Sequence, residues 1–248
     1  MKASNFEFRF RVLILAGLYC LGFTAPWLYS RTGYRIGVPG STAWLGLSTY
    51  LARLHWLPLE QATLVVTGLA IFCAFAGAAV RVWGTAYLGS SIVQSGAMHA
   101  GEVMAAGPYR HVRNPLYIGS LLFALSVAIL MPPSGALVFV VLTAIFYFRL
   151  ILGEEAFLTN QLGPAYLDYC KRVPRLVPSL RPRIPAPPTN LQVLQSLMSE
   201  VLPVGYALCF AVLARRYEPG LLVQCLLVCF GLSLVAHALL PKAPAAAK

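Results

Sequence analysis

Long apolar runs set the frame of this chain. Stretches with few or no charges extend from Val12 to Tyr29, Ala62 to Val82, Leu116 to Met131, Gly135 to Leu152, Val201 to Ala214 and Leu221 to Leu240. About 18 apolar residues suffice to cross ~30 Å of hydrocarbon. The pattern therefore predicts an all-α, polytopic membrane bundle with about six transmembrane helices. Pro132-Pro133-Ser134 interrupts the third and fourth runs; it cannot continue a helix and turns them into an antiparallel hairpin over 116–152. The apolar segment Ile36 to Ala52 begins at Pro39-Gly40-Ser41 and ends against Arg53 and His55, which favours an interfacial or re-entrant helix. The chain reads as one membrane domain. Helices occupy 1–93, a polar core with the hairpin fills 94–190, and a final helix pair takes 191–248.

Composition agrees with the pattern: 58% of the 248 residues are hydrophobic and 11% charged, which points to membrane rather than soluble classes. With six spans and both termini in the cytoplasm, only Arg31, Arg35, Arg53, Arg215 and Arg216 of the 19 Lys and Arg fall outside, satisfying the positive-inside rule. The net charge of +11 lies at span ends and in loops, where it suits anionic headgroups and gives no reason to expect nucleic acid. Six scattered cysteines show no metal-ligand spacing, so they read as small buried apolar residues and no metal is expected. The aromatic residues Trp27, Trp44, Trp56, Trp83, Tyr87, Tyr147, Tyr166 and Tyr169 cluster near span ends and read as an interfacial belt. Glu200 and His237 are ionisable groups at or within the last spans and would be costly facing lipid; Glu200 suits a water-filled entrance to a tunnel.

Polar residues concentrate between Gly107 and Pro174. The hairpin alone separates Trp83–Asn114 from the segment starting at Gly153, so both emerge on one face. Tyr109, Arg113 and Asn114 must then lie near Glu154-Glu155. Asn114 before Pro115 is a good helix N-cap, and the first turn it opens presents N–H groups to an anion. A solvated helix end bonded to arginines is the plain reading of Glu154-Glu155. The Pro-rich connector Pro178 to Pro188 is extended and semi-rigid.

These motifs, Gly107-Pro108-Tyr109, Arg113-Asn114-Pro115-Leu116-Tyr117-Ile118-Gly119, Glu154-Glu155 and Gly163-x-x-Tyr166-x-x-Tyr169-x-x-Arg172-Val173-Pro174, resemble the isoprenylcysteine carboxyl methyltransferase family, and phospholipid N-methyltransferases share part of the pattern. The resemblance covers about Gln94 to Pro178. It implies a membrane methyltransferase that uses S-adenosyl-L-methionine in a cytosolic pocket to methylate a lipophilic small molecule or lipid. Carried over, the cofactor would be held by Gln94, Gly101, Glu102, Val103, Met104, Tyr109, Asn114, Pro115, Leu116, Tyr117 and Glu154. Arg113 and Arg149 would position the acceptor, Arg149 standing beside Leu150, which aligns with the family's arginine. The family usually has histidine where this chain has Asn114. Asparagine hydrogen-bonds but does not titrate near neutrality, and His111 is the nearby alternative. An NADPH-dependent membrane sterol or enone reductase and a non-enzymatic lipid-binding or transport protein remain as alternatives.

Overall fold

The computed structural model describes residues 2–24, 41–55, 57–94, 103–187 and 191–240. Among them all regular structure is helical: α1 (Asn5–Arg9), α2 (Arg11–Thr24), α3 (Ala43–Arg53), α4 (Leu59–Leu88), α5 (Ser90–Gln94), α6 (Pro115–Ala128), α7 (Pro133–Leu162), α8 (Pro164–Arg172), α9 (Val193–Ser199), α10 (Val201–Leu213) and α11 (Pro219–Leu239), with short 3₁₀ turns at Gly107–Arg110 and Ala214–Arg216.

Among the described residues the six expected spans correspond to fewer full-length helices. Among the described residues α4, α7 and α11 are long and apolar enough to cross a membrane, and a fourth candidate is α9 with Val201–Arg216, bent by 73° at Glu200. The first run is helical only over the 14 residues of α2 before the described segment ends. The third run also yields 14 residues, in α6, about 21 Å at 1.5 Å per residue. It stops because Leu130 and Met131 turn back to the Val127 and Ala128 carbonyls. The hairpin tip is closed by α3, whose first amides, Ala43 and Trp44, donate to the Met131 and Ile129 carbonyls.

The helices pack in the order α2–α7–α6–α4–α10–α11. This row curls, because α2 and α11, at its two ends, both line one cavity. The α4–α6 contact sets the spacing. A Cβ on Gly77 would lie 2.8 Å from the Gly119 carbonyl oxygen, and one on Gly119 would lie 2.9 Å from the Gly77 oxygen. With Ala70, Ala74 and Ala78 on the same buried face of α4, these glycines let two backbones touch, as small residues do at membrane helix crossings. The close approach lets Arg81, one turn beyond Gly77, donate through Nη1 to Ser120 Oγ, next to Gly119, at 2.6 Å.

Outward faces are apolar: Leu69 and Phe72 on α4, Val141 and Ile145 on α7, and Leu227, Val228 and Leu232 on α11 are exposed. That surface suits lipid contact. The aromatic belt is only partly realised. Trp44 is buried, its indole N–H donating to Thr67 at 3.0 Å, and Tyr147, Tyr166 and Tyr169 are buried as well; Trp27 and Trp56 lie outside the described residues.

Candidate functional site

Successive residues on a helix point about 100° apart, and Glu154 and Glu155 use that divergence. Both sit near the end of α7. A helix starting across the bilayer at Pro133 has risen about 32 Å by Glu154, roughly the ~30 Å hydrocarbon thickness. Glu155 turns toward the loop. It is 7% exposed, its Oε1 accepts from Asn114 Nδ2 at 3.1 Å, and its Oε2 accepts from Arg175 Nε at 2.9 Å. Arg113 pairs with it at 3.4 Å. This carboxylate ties three segments together, and the hydrogen bond from Arg175 holds that guanidinium's pKa above its usual value. Glu154 turns toward the cavity, where its Oε2 accepts from Tyr117 Oη at 3.0 Å.

Asn114 occupies the N-cap position of α6, but its side chain makes no capping bond. Its one amide nitrogen donates to both Glu155 and the Arg175 carbonyl, at 3.1 and 3.2 Å. A neutral imidazole has one N–H and cannot serve two acceptors from a single nitrogen. Here Asn114 holds the loop.

The segment before α6 is held from behind by the chain that follows α8. Gly163 ends α7 with φ +55°, a left-handed conformation that glycine adopts freely. Tyr166 and Tyr169 of α8 and Val173 just past its end then form one buried cluster, packed against Val103, Leu158 and Ile184. Tyr169 donates to the Tyr109 carbonyl at 2.8 Å. The connector continues the lashing: Arg113 N–H donates to the Pro174 carbonyl, Ser179 N–H to His111 and Arg183 N–H to Arg110. His111 faces the Ser179 carbonyl through Nδ1 at 2.7 Å and does not line the cavity.

The cavity has a volume of about 430 Å³, within the ~300–1,000 Å³ usual for small-molecule sites. Val103, Met104, Tyr109, Arg113, Asn114, Pro115, Leu116, Tyr117 and Glu154, all candidates from sequence, line it. Gln94 ends α5, and its side chain lies outside what the structure describes; Ile92 and Val93 before it line the cavity. Gly101 and Glu102 lie outside the described residues. Arg149 is placed elsewhere. Its Nε and Nη2 bond Glu7 at 3.1 and 2.9 Å and hold α1 against α7, while the neighbouring Leu150 lines the cavity. The reason is helix phase: one residue rotates a side chain from the interior to the outer face.

Tyr109 Oη and Arg113 Nε, both on lining residues, are buried with no hydrogen-bond partner among the described residues. Burial holds the Tyr109 phenol well above its usual pKa, so it stays a neutral donor. Buried donors without partners are costly, and both belong to residues on the cavity wall.

Sequence reasoning missed the other end of the cavity. Arg81, whose side chain is 23% exposed, lines it and pairs with Glu200, 1% exposed, at 2.6 Å through Nε and 2.9 Å through Nη2. Thr85 adds a 2.8 Å bond to the same carboxylate. Glu200 does not itself line the cavity; it fastens the α9–α10 bend to α4. The signal was present as two charges 119 positions apart inside apolar runs, but nothing in the sequence pairs them. Ser199 and Ser233 also line this end.

Residues 64–165 match the model of the phospholipid methyltransferase family, about two-fifths of the chain. That family is one of membrane methyltransferases and is grouped with the isoprenylcysteine carboxyl methyltransferases that the motifs resemble. Comparisons with curated proteins and with solved structures return no match.

Proposed function

We propose that this protein is an S-adenosyl-L-methionine-dependent methyltransferase acting on a lipophilic acceptor, with its cavity opening at the cytoplasmic membrane surface. The observation that carries the reading is the Tyr117–Glu154 pair on the wall of a cavity of about 430 Å³ that is lined in large part by the matched methyltransferase stretch. The donor set fits the cofactor. Glu154 is an acceptor for ribose hydroxyls or an ammonium, Arg113 and Tyr109 are donors for a carboxylate, and Val103, Met104, Leu158 and Leu162 offer apolar wall for a base. Bound there, the cofactor supplies a methyl group on a sulfonium. The chain's own contribution is to orient the acceptor and keep the site dry, which accounts for much of the rate in a displacement of this kind.

Lateral access supports a lipophilic acceptor. Val12 on α2 and Phe230 and Leu234 on α11 line the cavity and are also exposed on the apolar outer surface. An acyl, prenyl or quinone tail can remain between α2 and α11 while its polar end reaches inward.

Equilibrium binding of S-adenosylhomocysteine to the purified protein in detergent tests the cofactor assignment. Binding that weakens in Glu154→Ala and Tyr117→Phe is expected; binding of NADPH with none of S-adenosylhomocysteine would sink the reading. Label transferred from methyl-labelled cofactor into a lipid extract then identifies the acceptor.

A further inference from the structure

The C-terminal helices α9–α11 lie wholly beyond the family-matched residues 64–165, yet they build one end of the cavity. On α11, Phe230, Ser233, Leu234 and His237 follow the i, i+3, i+4, i+7 spacing of a single helix face, and all four line it. Three are expected for a wall of mixed polarity. His237 is the exception, an ionisable ring set in an apolar helix, where such groups are kept for function more often than for packing.

Its geometry fixes its chemistry. Nε2 lies 2.8 Å from the Ser199 carbonyl oxygen. A carbonyl only accepts, so Nε2 carries the hydrogen, and in the neutral ring Nδ1 is then the nitrogen with the lone pair. Nδ1 has no partner among the described residues. His237 lines the cavity, and a histidine held by one nitrogen against a backbone carbonyl, with the other left without a protein partner among the described residues, has the arrangement of an oriented general base.

We propose that His237 is the proton acceptor for methyl transfer, and that the group methylated is therefore a hydroxyl, phenol or amine that gives up a proton, not a carboxylate. This rests on the methyltransferase reading above. The acceptor's heteroatom forms its new bond to the methyl carbon of the sulfonium donor, the methyl–sulfur bond breaks with its electron pair left on sulfur, and the heteroatom's proton passes to Nδ1 of His237. The resulting imidazolium returns the proton to water. The charged groups sharing the cavity are Arg11 on α2, Arg81 on α4, Arg113 ahead of α6 and Glu154 on α7, with Glu200 behind Arg81. A carboxylate nucleophile arrives already ionised and would leave this base without a task.

Two measurements test the idea without knowing the acceptor. Nitrogen-15 spectra of histidine-labelled protein without cofactor, assigned by difference against His237→Gln, should show the His237 ring protonated at Nε2 and bare at Nδ1; the opposite tautomer overturns the proposal. Label transferred from methyl-labelled cofactor into a lipid extract should survive mild base, as methyl ethers and methylamines do; label released as methanol marks an ester and overturns it. His237→Gln retains an N–H for the Ser199 carbonyl, so S-adenosylhomocysteine should bind as to the unaltered protein while transfer falls by about 10²–10⁴, and imidazole should restore part of the rate in His237→Ala. Transfer by His237→Gln at the unaltered rate overturns the proposal. Failure of the unaltered protein to bind S-adenosylhomocysteine would instead sink the cofactor assignment itself.

Discussion

Replacing the two adjacent glutamates one at a time should produce opposite phenotypes. Glu155→Ala removes a carboxylate that is 7% exposed and accepts from Asn114 and Arg175 at 3.1 and 2.9 Å, with Arg113 at 3.4 Å. Breaking a buried pair by deleting one partner costs about 3–5 kcal/mol. The low end applies, because the Arg175 side chain is 39% exposed and can turn to water, whereas Arg113, at 12%, is left largely buried. At about 2–4 °C per kcal/mol for a chain of this size, ~3 kcal/mol lowers the melting temperature by about 6–12 °C. Glu154→Ala removes one hydrogen bond from Tyr117, worth about 1 kcal/mol, so its melting temperature should fall by only about 2–4 °C. Its S-adenosylhomocysteine affinity should fall at least about tenfold, the equivalent of ~1.4 kcal/mol. Thermal unfolding in detergent, followed by tryptophan fluorescence, and calorimetric binding give both numbers. If Glu154→Ala unfolds earlier than Glu155→Ala, or if both bind ligand equally well, the division of labour between the two carboxylates is wrong.

Two further outcomes are expected. Gly77→Ala and Gly119→Ala each put a Cβ within 3 Å of opposing backbone, and overpacking of that kind costs about 1–3 kcal/mol; Gly68→Ala, with nothing within 4 Å, should instead gain about 0.5–1 kcal/mol from helix propensity, and denaturant titration separates the three. The hydrogen bonds from Arg149 lower the Glu7 pKa from its ordinary 4.5 to about 2. A depressed carboxylate pKa stabilises fully above the unfolded value and loses its effect as pH falls through the folded one, so the α1 contact should hold above pH 4.5 and loosen toward pH 2. Amide exchange over residues 3–9 should rise in that window and, in Arg149→Ala, already be high at neutral pH.

The apolar runs by themselves determined that the chain is helical and membrane-embedded, and Pro132-Pro133 determined where it folds back, because hydrocarbon admits only helices with internally satisfied backbones. Among the described residues three helices, or four with the bent α9–α10 pair, are long enough to span: α6 ends at Ala128 and the bend at Glu200 divides α9 from α10, both decided by turns and side-chain bonds that hydropathy does not register. Motif order pointed to the stretch from Tyr109 to Glu154, since those residues act within one hairpin and its flanks. Which glutamate faces the cavity, why Arg149 lies outside it and why Asn114 serves two acceptors were settled by helix phase and by the segment packed behind. The pairing of Arg81 with Glu200 and the setting of His237 on the Ser199 carbonyl join positions 119 and 38 residues apart. Those contacts exist only because α4, α6, α10 and α11 curl around one cavity, and a linear pattern carries no record of that curl.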